Sequence, residues 1–298
     1  MSVTTATYNQ AWGTPQVTGN FLGLLVVSLA GVLLSRAAHA RRQSELDQIR
    51  RVAIAAQEVV LRPFPERLGS VWGASMCLTA EAETQVGGDL YDAMQTQYGV
   101  RLIVGDVRGK GLTAVRAVAA VLGAFRETVH YEPQLAGVMH RCEAALEREA
   151  AIPGAFPREA LIEGFTTALM AQVPDEHVVH LVNRGHPPPL VLHQGRAQAL
   201  IPTSPQPPLG LEDLFTGPPV EPESYPFLPG DRLLLYTDGV IEARNRDNHF
   251  FPLPETMEQI PTGTSPQEFL NELHQALIRH TEDRLTDDVA MILIDRLR

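Results

Sequence analysis

Val86 to Gly111 reads VGGDLYDAMQTQYGVRLIVGDVRGKG, and the reading of the whole chain turns on this stretch. Val100 to Val104 within it is the predominantly apolar run expected of a strand covered on both faces. It stops at Gly105-Asp106, and Gly109-Lys110-Gly111 follows. A shorter strand-like run precedes it and ends at Gly87-Gly88-Asp89. Asp89 and Asp106 each directly follow a glycine at a strand end. The backbone can turn sharply there and the carboxylate can point out of the sheet.

The pattern recurs twice. Arg232 to Thr237 (RLLLYT) reads as a strand closed by Asp238-Gly239, and Asp287-Asp288 precede a strand at Val289 to Ile294 (VAMILI). Taken singly, a strand-end Asp is a turn former. Taken together, four apolar strands with an Asp at one end pose an electrostatic problem: gathered carboxylates repel, and burying them unpaired costs several kcal/mol each. Divalent cations resolve it, and all-oxygen ligation favours Mg²⁺ or Mn²⁺ over Zn²⁺.

The ordered set GGDLYD, GDVRGKG, GDRLLLYTDGVIEAR and DDVAMILI resembles the PPM (protein phosphatase 2C-like) serine/threonine phosphatases, and within them the bacterial SpoIIE/RsbU-like branch. The resemblance runs from about Ala55 to Arg298. It implies an α/β sandwich: two stacked antiparallel sheets flanked by helices, with the site in a cleft at one end of the sheets. It also implies a phosphoserine/phosphothreonine protein phosphatase with two Mn²⁺ or Mg²⁺ ions and a metal-activated water. By the same resemblance Asp89 and Asp106 are the catalytic metal-holding pair. Val107 adds its carbonyl, Asp238 and Asp287 come from the later strands, and Asp288 takes second place to Asp287. Asp92 could act through a water, and Lys110 is a candidate helper at the phosphate. The branch further implies a phosphorylated STAS-domain (anti-anti-sigma) regulator as substrate in a partner-switching pathway. An alternative of another class is a membrane-tethered binding protein that keeps the fold without catalysis; its mark would be lost carboxylates, and all the motif acids are present. A phosphatase for small phosphoesters is a third reading.

The chain has 298 residues, enough for one large domain plus an appendage. A net charge of -11 without a basic stripe argues against a nucleic-acid partner. Cys77 and Cys142 have no CxxC partner and read as small buried residues. The segment from Gly105 to Gly111 is not a P-loop: three residues, not four, separate Gly105 from Gly109, and no Ser or Thr follows Lys110. No G-x-S-x-G is present either.

Residues 1–35 carry no charged side chain, and Phe21 to Leu34 (FLGLLVVSLAGVLL) is almost wholly apolar. Arg36, Arg41 and Arg42 follow. This pattern predicts a single transmembrane helix at the short limit of a span, with the C-terminal bulk in the cytoplasm and the protein at the cell membrane. A helix packed on the domain is the competing reading. Three segments result: 1–38 as the uncharged N-terminus with its span, 39–65 as a linker helix, and 66–298 as the phosphatase-like domain. In the linker, Leu46, Ile49, Ala53, Ala56 and Val60 follow 3-4-3-4 spacing. That spacing fits a coiled coil joining two copies through residues 40–62, or an ordinary amphipathic helix.

Further helices are expected over Leu112–Val129, Pro133–Glu149 and Pro266–Thr281, and strands over Val71–Ala80, Phe165–Val173, His177–Asn183 and Leu190–His193. The Pro-rich residues 201–224 read as a surface loop, and 245–264 as a variable region. His186, in the turn GHPPPLVL, reads as structural or close to the site, and Arg184 stands where a small residue is usual.

Overall fold

A computed structural model describes residues 23–25, 27–36, 39, 41, 60–78, 88–152, 165–211, 217, 219–282 and 284–297. The chain divides into two compact units, Met1–Arg51 and Val52–Arg298. In the first, residues 23–25 and 27–36 are helical, and Leu24, Leu25, Val27, Leu29, Val32, Leu33 and Leu34 are all exposed. Among the described residues no helix is long and apolar enough to cross a membrane. The expected span also includes Phe21 and Leu22, and the proposed coiled-coil seam includes Leu46 to Ala56; these lie outside the described residues.

The second unit stacks two antiparallel sheets between helices. The strands are β1 (Arg67–Leu68), β2 (Val71–Leu78), β3 (Asp89–Thr96), β4 (Gly99–Val107), β5 (Thr166–Val173), β6 (Val178–Arg184), β7 (Leu190–His193), β8 (Arg196–Ala199), β9 (Glu223–Pro226), β10 (Arg232–Tyr236) and β11 (Val289–Arg296). A six-stranded sheet has the order β1-β2-β11-β10-β7-β8 and a five-stranded sheet the order β3-β4-β5-β6-β9. Helices α1 (Leu112–Thr128) and α2 (Leu135–Ala150) cover the five-stranded sheet. A short turn α3 (Asp238–Ile241), then α4 (Leu253–Gln259) and α5 (Pro266–Thr281), cover the other. Helix α4 falls in the stretch whose sequence reads as variable. Helix α5 opens on a capping box, Ser265 with Glu268, which satisfies backbone N–H groups its first turn would leave unpaired.

Three apolar layers follow from the pleat. Val100, Leu102 and Val104 of β4 face the inter-sheet core with Leu169, Leu233, Leu235 and Ile292. Ile103, one residue out of phase, packs under α1 and α2 with Val118, Leu122 and Phe125. Both faces of β4 are therefore buried, which is why its sequence does not alternate. Arg101 interrupts the run and is fully buried on the helix side. Its guanidinium donates to Gln172 Oε1 at 2.8 Å and to the carbonyls of Val129, Glu132 and Pro133, so it ties the α1–α2 turn to the sheet. Each fully buried Leu or Phe in these layers contributes about 1.5–3 kcal/mol.

One strand differs from the sequence reading. The pattern predicts a strand that ends at Gly87-Gly88-Asp89; instead Asp89 opens β3, which runs on to Thr96 and turns through Gln97-Tyr98 into β4. DLYDAMQT lies at the edge of its sheet and is largely buried, but its two Asp residues and its Gln-Thr end break the apolar run that marks β4 in the sequence. Cys142 is buried as expected, whereas Cys77, near the end of β2, is exposed.

Candidate active site

The β3–β4 hairpin places the first residue of one strand opposite the end of the other, so Asp89 pairs in register with Asp106. The β10–β11 pair does the same in the other sheet: β10 ends just before Asp238, and β11 starts just after Asp287-Asp288. The two ends meet. Thr237, the residue before Asp238, donates from Oγ1 to Asp89 Oδ2 at 3.2 Å, and its Oγ1 accepts from the Ala290 backbone N–H at 2.9 Å.

Two glycines permit these close approaches. A Cβ on Gly88 would lie 2.1 Å from the Val107 carbonyl oxygen, and one on Gly239 would lie 2.0 Å from the Asp288 carbonyl oxygen. The Val107 side chain is buried in the helix-side core, and both its carbonyl and its Cβ stand where a side chain on Gly88 would go.

The electrostatics record the crowding. Asp89 is 2% exposed, and burial, then Asp106 and Asp288, push its carboxyl well above the usual range against the opposing hydrogen bond from Thr237. Asp106 is pushed up to about 7, by burial first and then by Asp238, Asp287 and Asp288; Lys110 works in the opposite direction. Asp238 is raised by burial, Asp287 and Glu242. Asp288 is 7% exposed while Asp287 is exposed, and Asp287 Oδ1 accepts from the Asp288 backbone N–H at 2.9 Å. The structure thus brings together Asp89, Asp106, Asp238, Asp287 and Asp288, with Lys110 within electrostatic reach.

Asp92 is not brought there. Three residues beyond Asp89 it points to the opposite face, where it pairs with Arg126 of α1; Arg126 also donates to the Val60 carbonyl. His186 is buried beside the cluster and joins the two sheets. Its Nε2 lies 3.0 Å from the Tyr236 carbonyl and its Nδ1 3.0 Å from Thr167 Oγ1. A carbonyl only accepts, so Nε2 carries the proton and Nδ1 accepts from Thr167. Burial lowers the ring to about 3, with the Tyr236 carbonyl working against that, so the ring is neutral.

Arg184, unusual by the family pattern, is buried against Glu143 of α2 in a two-pronged pair at 2.8 and 2.9 Å. It also donates to the Pro207 carbonyl at 2.6 Å, and Glu143 accepts from Gly210 N–H at 3.2 Å. The arginine thereby fixes the Pro208-Leu209-Gly210 element, whose Leu209 exchanges backbone hydrogen bonds with Thr166. No local pattern around Glu143 signals this pairing.

The family model for stage II sporulation protein E (SpoIIE) matches residues 96–297. The chain belongs to the SpoIIE family. Asp106, Asp238, Asp287 and Asp288 lie inside the match, and Asp89 just before it. Phosphoserine phosphatase RsbP of Bacillus subtilis is 26% identical over 220 residues, 72% of this chain and 50% of RsbP. The chain therefore spans half the length of that relative. The RsbU and RsbW domains of a Mycobacterium tuberculosis protein share the fold at a TM-score of 0.64 and 23% identity, over 79% of this chain and 61% of that one. The SiaA-PP2C domain of Pseudomonas aeruginosa does so at 0.64 and 17%, over 88% and 99%. This SpoIIE-family chain thus has the fold of the PP2C-type (PPM) serine/threonine phosphatases, in the RsbU/SpoIIE branch.

Whether the cluster suits metal ions can be judged from its donors. They are carboxylates, all oxygen, which is the chemistry of hard divalent cations. Burial, and then the repulsion between neighbouring carboxylates, raises Asp89 and Asp106, and a bound cation would offset both. Among the described residues, no three acidic, His or Cys side chains close around one point. The donor chemistry fits; the carboxylates stand as neighbours, not as a finished cage.

Proposed function

We propose that this chain is a metal-dependent phosphoserine/phosphothreonine protein phosphatase that acts on a phosphorylated STAS-type regulator in a partner-switching pathway. The observation that carries the reading is the meeting of Asp89–Asp106 from one sheet with Asp238 and Asp287-Asp288 from the other, tied by Thr237. Membership of the SpoIIE family and likeness to RsbP support the substrate class.

In this reading Asp89, Asp106, Asp238 and Asp287, with the Val107 carbonyl, hold two Mn²⁺ or Mg²⁺ ions, and Asp288 supports them from the buried side. When bound, the ions polarise the phosphate and lower the pKa of the attacking water. Asp106, which raises Asp89 and is itself raised by Asp238, Asp287 and Asp288, is the carboxylate coupled to the acids of both sheets. Lys110 offsets part of the negative charge a phosphate meets on approach. Neutral His186 keeps both ring nitrogens engaged between the sheets and holds Thr167 and Tyr236 in place; it moves no proton.

The exposed apolar side chains from Leu24 to Leu34, followed by Arg36 and Arg41, support an anchor in the cell membrane with the phosphatase unit in the cytoplasm. The segment 40–62 is proposed to pair two copies.

The test is phosphate release from a phosphoserine STAS protein by the full chain in lipid, with Mn²⁺ or EDTA, and with Asp89→Asn. Release that needs both the metal and Asp89 upholds the reading. Binding of the phosphoprotein without release would instead identify an inactive tethering protein.

A further inference from the structure

Pro187-Pro188-Pro189 leave a gap in the six-stranded sheet that a side chain fills. The Thr237 N–H donates to the Ala290 carbonyl, so Tyr236, one residue earlier, turns its own carbonyl the other way, toward β7. Strand β7 pairs with β10 only as far as Leu190 with Leu234. Two residues further the register would set Pro188 opposite Tyr236, and a proline has no N–H to give. The His186 ring supplies the donor instead, from Nε2 to the Tyr236 carbonyl at 3.0 Å.

Two carboxylates are tied to that ring. Asp238 lies two residues beyond Tyr236. On the other side of the ring Nδ1 accepts from Thr167, which is the ladder partner of Asp106. Of the neighbouring carboxylates, Asp238 acts most strongly on Asp106. The imidazole is therefore a spacer between the strand end that leads into Asp238 and the strand pair that carries Asp106.

The place of the ring is set in turn by Asn183. Leu181, two residues earlier on β6, lies in the core between the sheets, so Asn183 faces the same way. Its Oδ1 accepts from the His186 backbone N–H at 2.8 Å, and its Nδ2 donates to the His186 carbonyl at 2.9 Å. One partner only donates and the other only accepts, so the amide has a single orientation. With both backbone polar atoms of His186 held, its ring stays between Tyr236 and Thr167.

We propose that Asn183 is a positioning residue for the metal site: through His186 it sets the separation of Asp106 and Asp238, and with it the affinity of the site for a divalent cation. This rests on the metal-dependent reading above. Removing a group that orients metal ligands from outside weakens metal binding about 10–100-fold. Asn183 acts through a second residue, so the lower end of that range applies.

The experiment measures Mn²⁺ binding to the full chain in lipid by electron paramagnetic resonance, for the wild type and Asn183→Ala, with melting in EDTA as the check that each is folded. The dissociation constant should rise about tenfold in the variant. In phosphate release from a phosphoserine peptide, the half-activating Mn²⁺ concentration should rise by the same factor while the rate at saturating Mn²⁺ recovers, which a loss of folded protein would not give. Asn183→Asp keeps the acceptor for the His186 N–H and loses the donor, so it should fall between the two, and it takes the place of Asn183→Ala if that variant does not fold. An unchanged dissociation constant, or a rate lowered at every Mn²⁺ concentration with the half-activating one unmoved, overturns the proposal. If the wild type binds no Mn²⁺, the metal-dependent reading fails by itself. The positioning is then read from histidine labelled with nitrogen-15: a protected His186 Nε2–H that is lost in the variant upholds it, and one that is retained overturns it.

Discussion

Thr237 donates to Asp89 across the gap between the two sheets while accepting from the Ala290 backbone N–H. One hydroxyl thus fixes the distance between the two acid-bearing strand ends. Thr237→Val removes the donor to Asp89 and leaves the Ala290 N–H buried and unpaired. We expect a loss of about 1–3 kcal/mol in urea unfolding, and Thr237→Ser should restore most of it.

Asp106→Asn should separate stability from activity. Activity on a phosphoserine peptide with Mn²⁺ should fall at least about a hundredfold. In EDTA the variant should melt higher than the wild type, because it removes a buried like charge. The pH dependence fixes the sign. Asp106 is raised to about 7 in the fold from an ordinary 3.8, so its stability is fully present below pH 3.8 and lost as pH rises through about 7. The melting advantage of Asp106→Asn should therefore grow between about pH 4 and 7 and level off above.

His186 acts in the opposite sense. Its folded value is about 3 against an ordinary 6.5, so native stability is present above pH 6.5 and is lost as pH falls from there toward 3. Nitrogen-15 spectra should show one neutral ring with Nε2 protonated and no titration between pH 8 and 5. A ring that protonates near 6.5 would contradict the buried two-sided clamp.

Arg184 and Glu143 are 2% and 1% exposed, so breaking their pair leaves a buried charge without the opposite charge it faces. Arg184→Met or Glu143→Leu alone should cost about 3–5 kcal/mol, and the double variant should recover a large part. Chemical denaturation of the four proteins measures the coupling. The single variants should also make the backbone amide of Leu209 exchange faster, because the pair positions that turn.

Much of the candidate site is legible in the amino-acid sequence. Gly-Asp at a strand end is a local pattern, and so are the apolar runs of β4, β10 and β11. The direction of β3 is not legible. The sequence pattern has Asp89 closing a strand, but in the fold it opens one, because DLYDAMQT at a sheet edge lacks the apolar density that marks its neighbour. Asp92 shows the same limit. Its spacing from Asp89 allows a role at the site, and the pleat turns it to Arg126 instead.

The sequence alone determined which residues carry charge, where the strongly apolar strands and the amphipathic helices form, and which acids stand beside glycine, since all of these rest on local periodicity and backbone freedom. Tertiary structure decided which strand ends coincide, which face each acid takes, that His186 stays neutral, and that Arg184 meets Glu143. Those outcomes depend on pairing between residues far apart in the chain, as between Asp89 and Thr237, and on the low dielectric that stacking the two sheets creates around them.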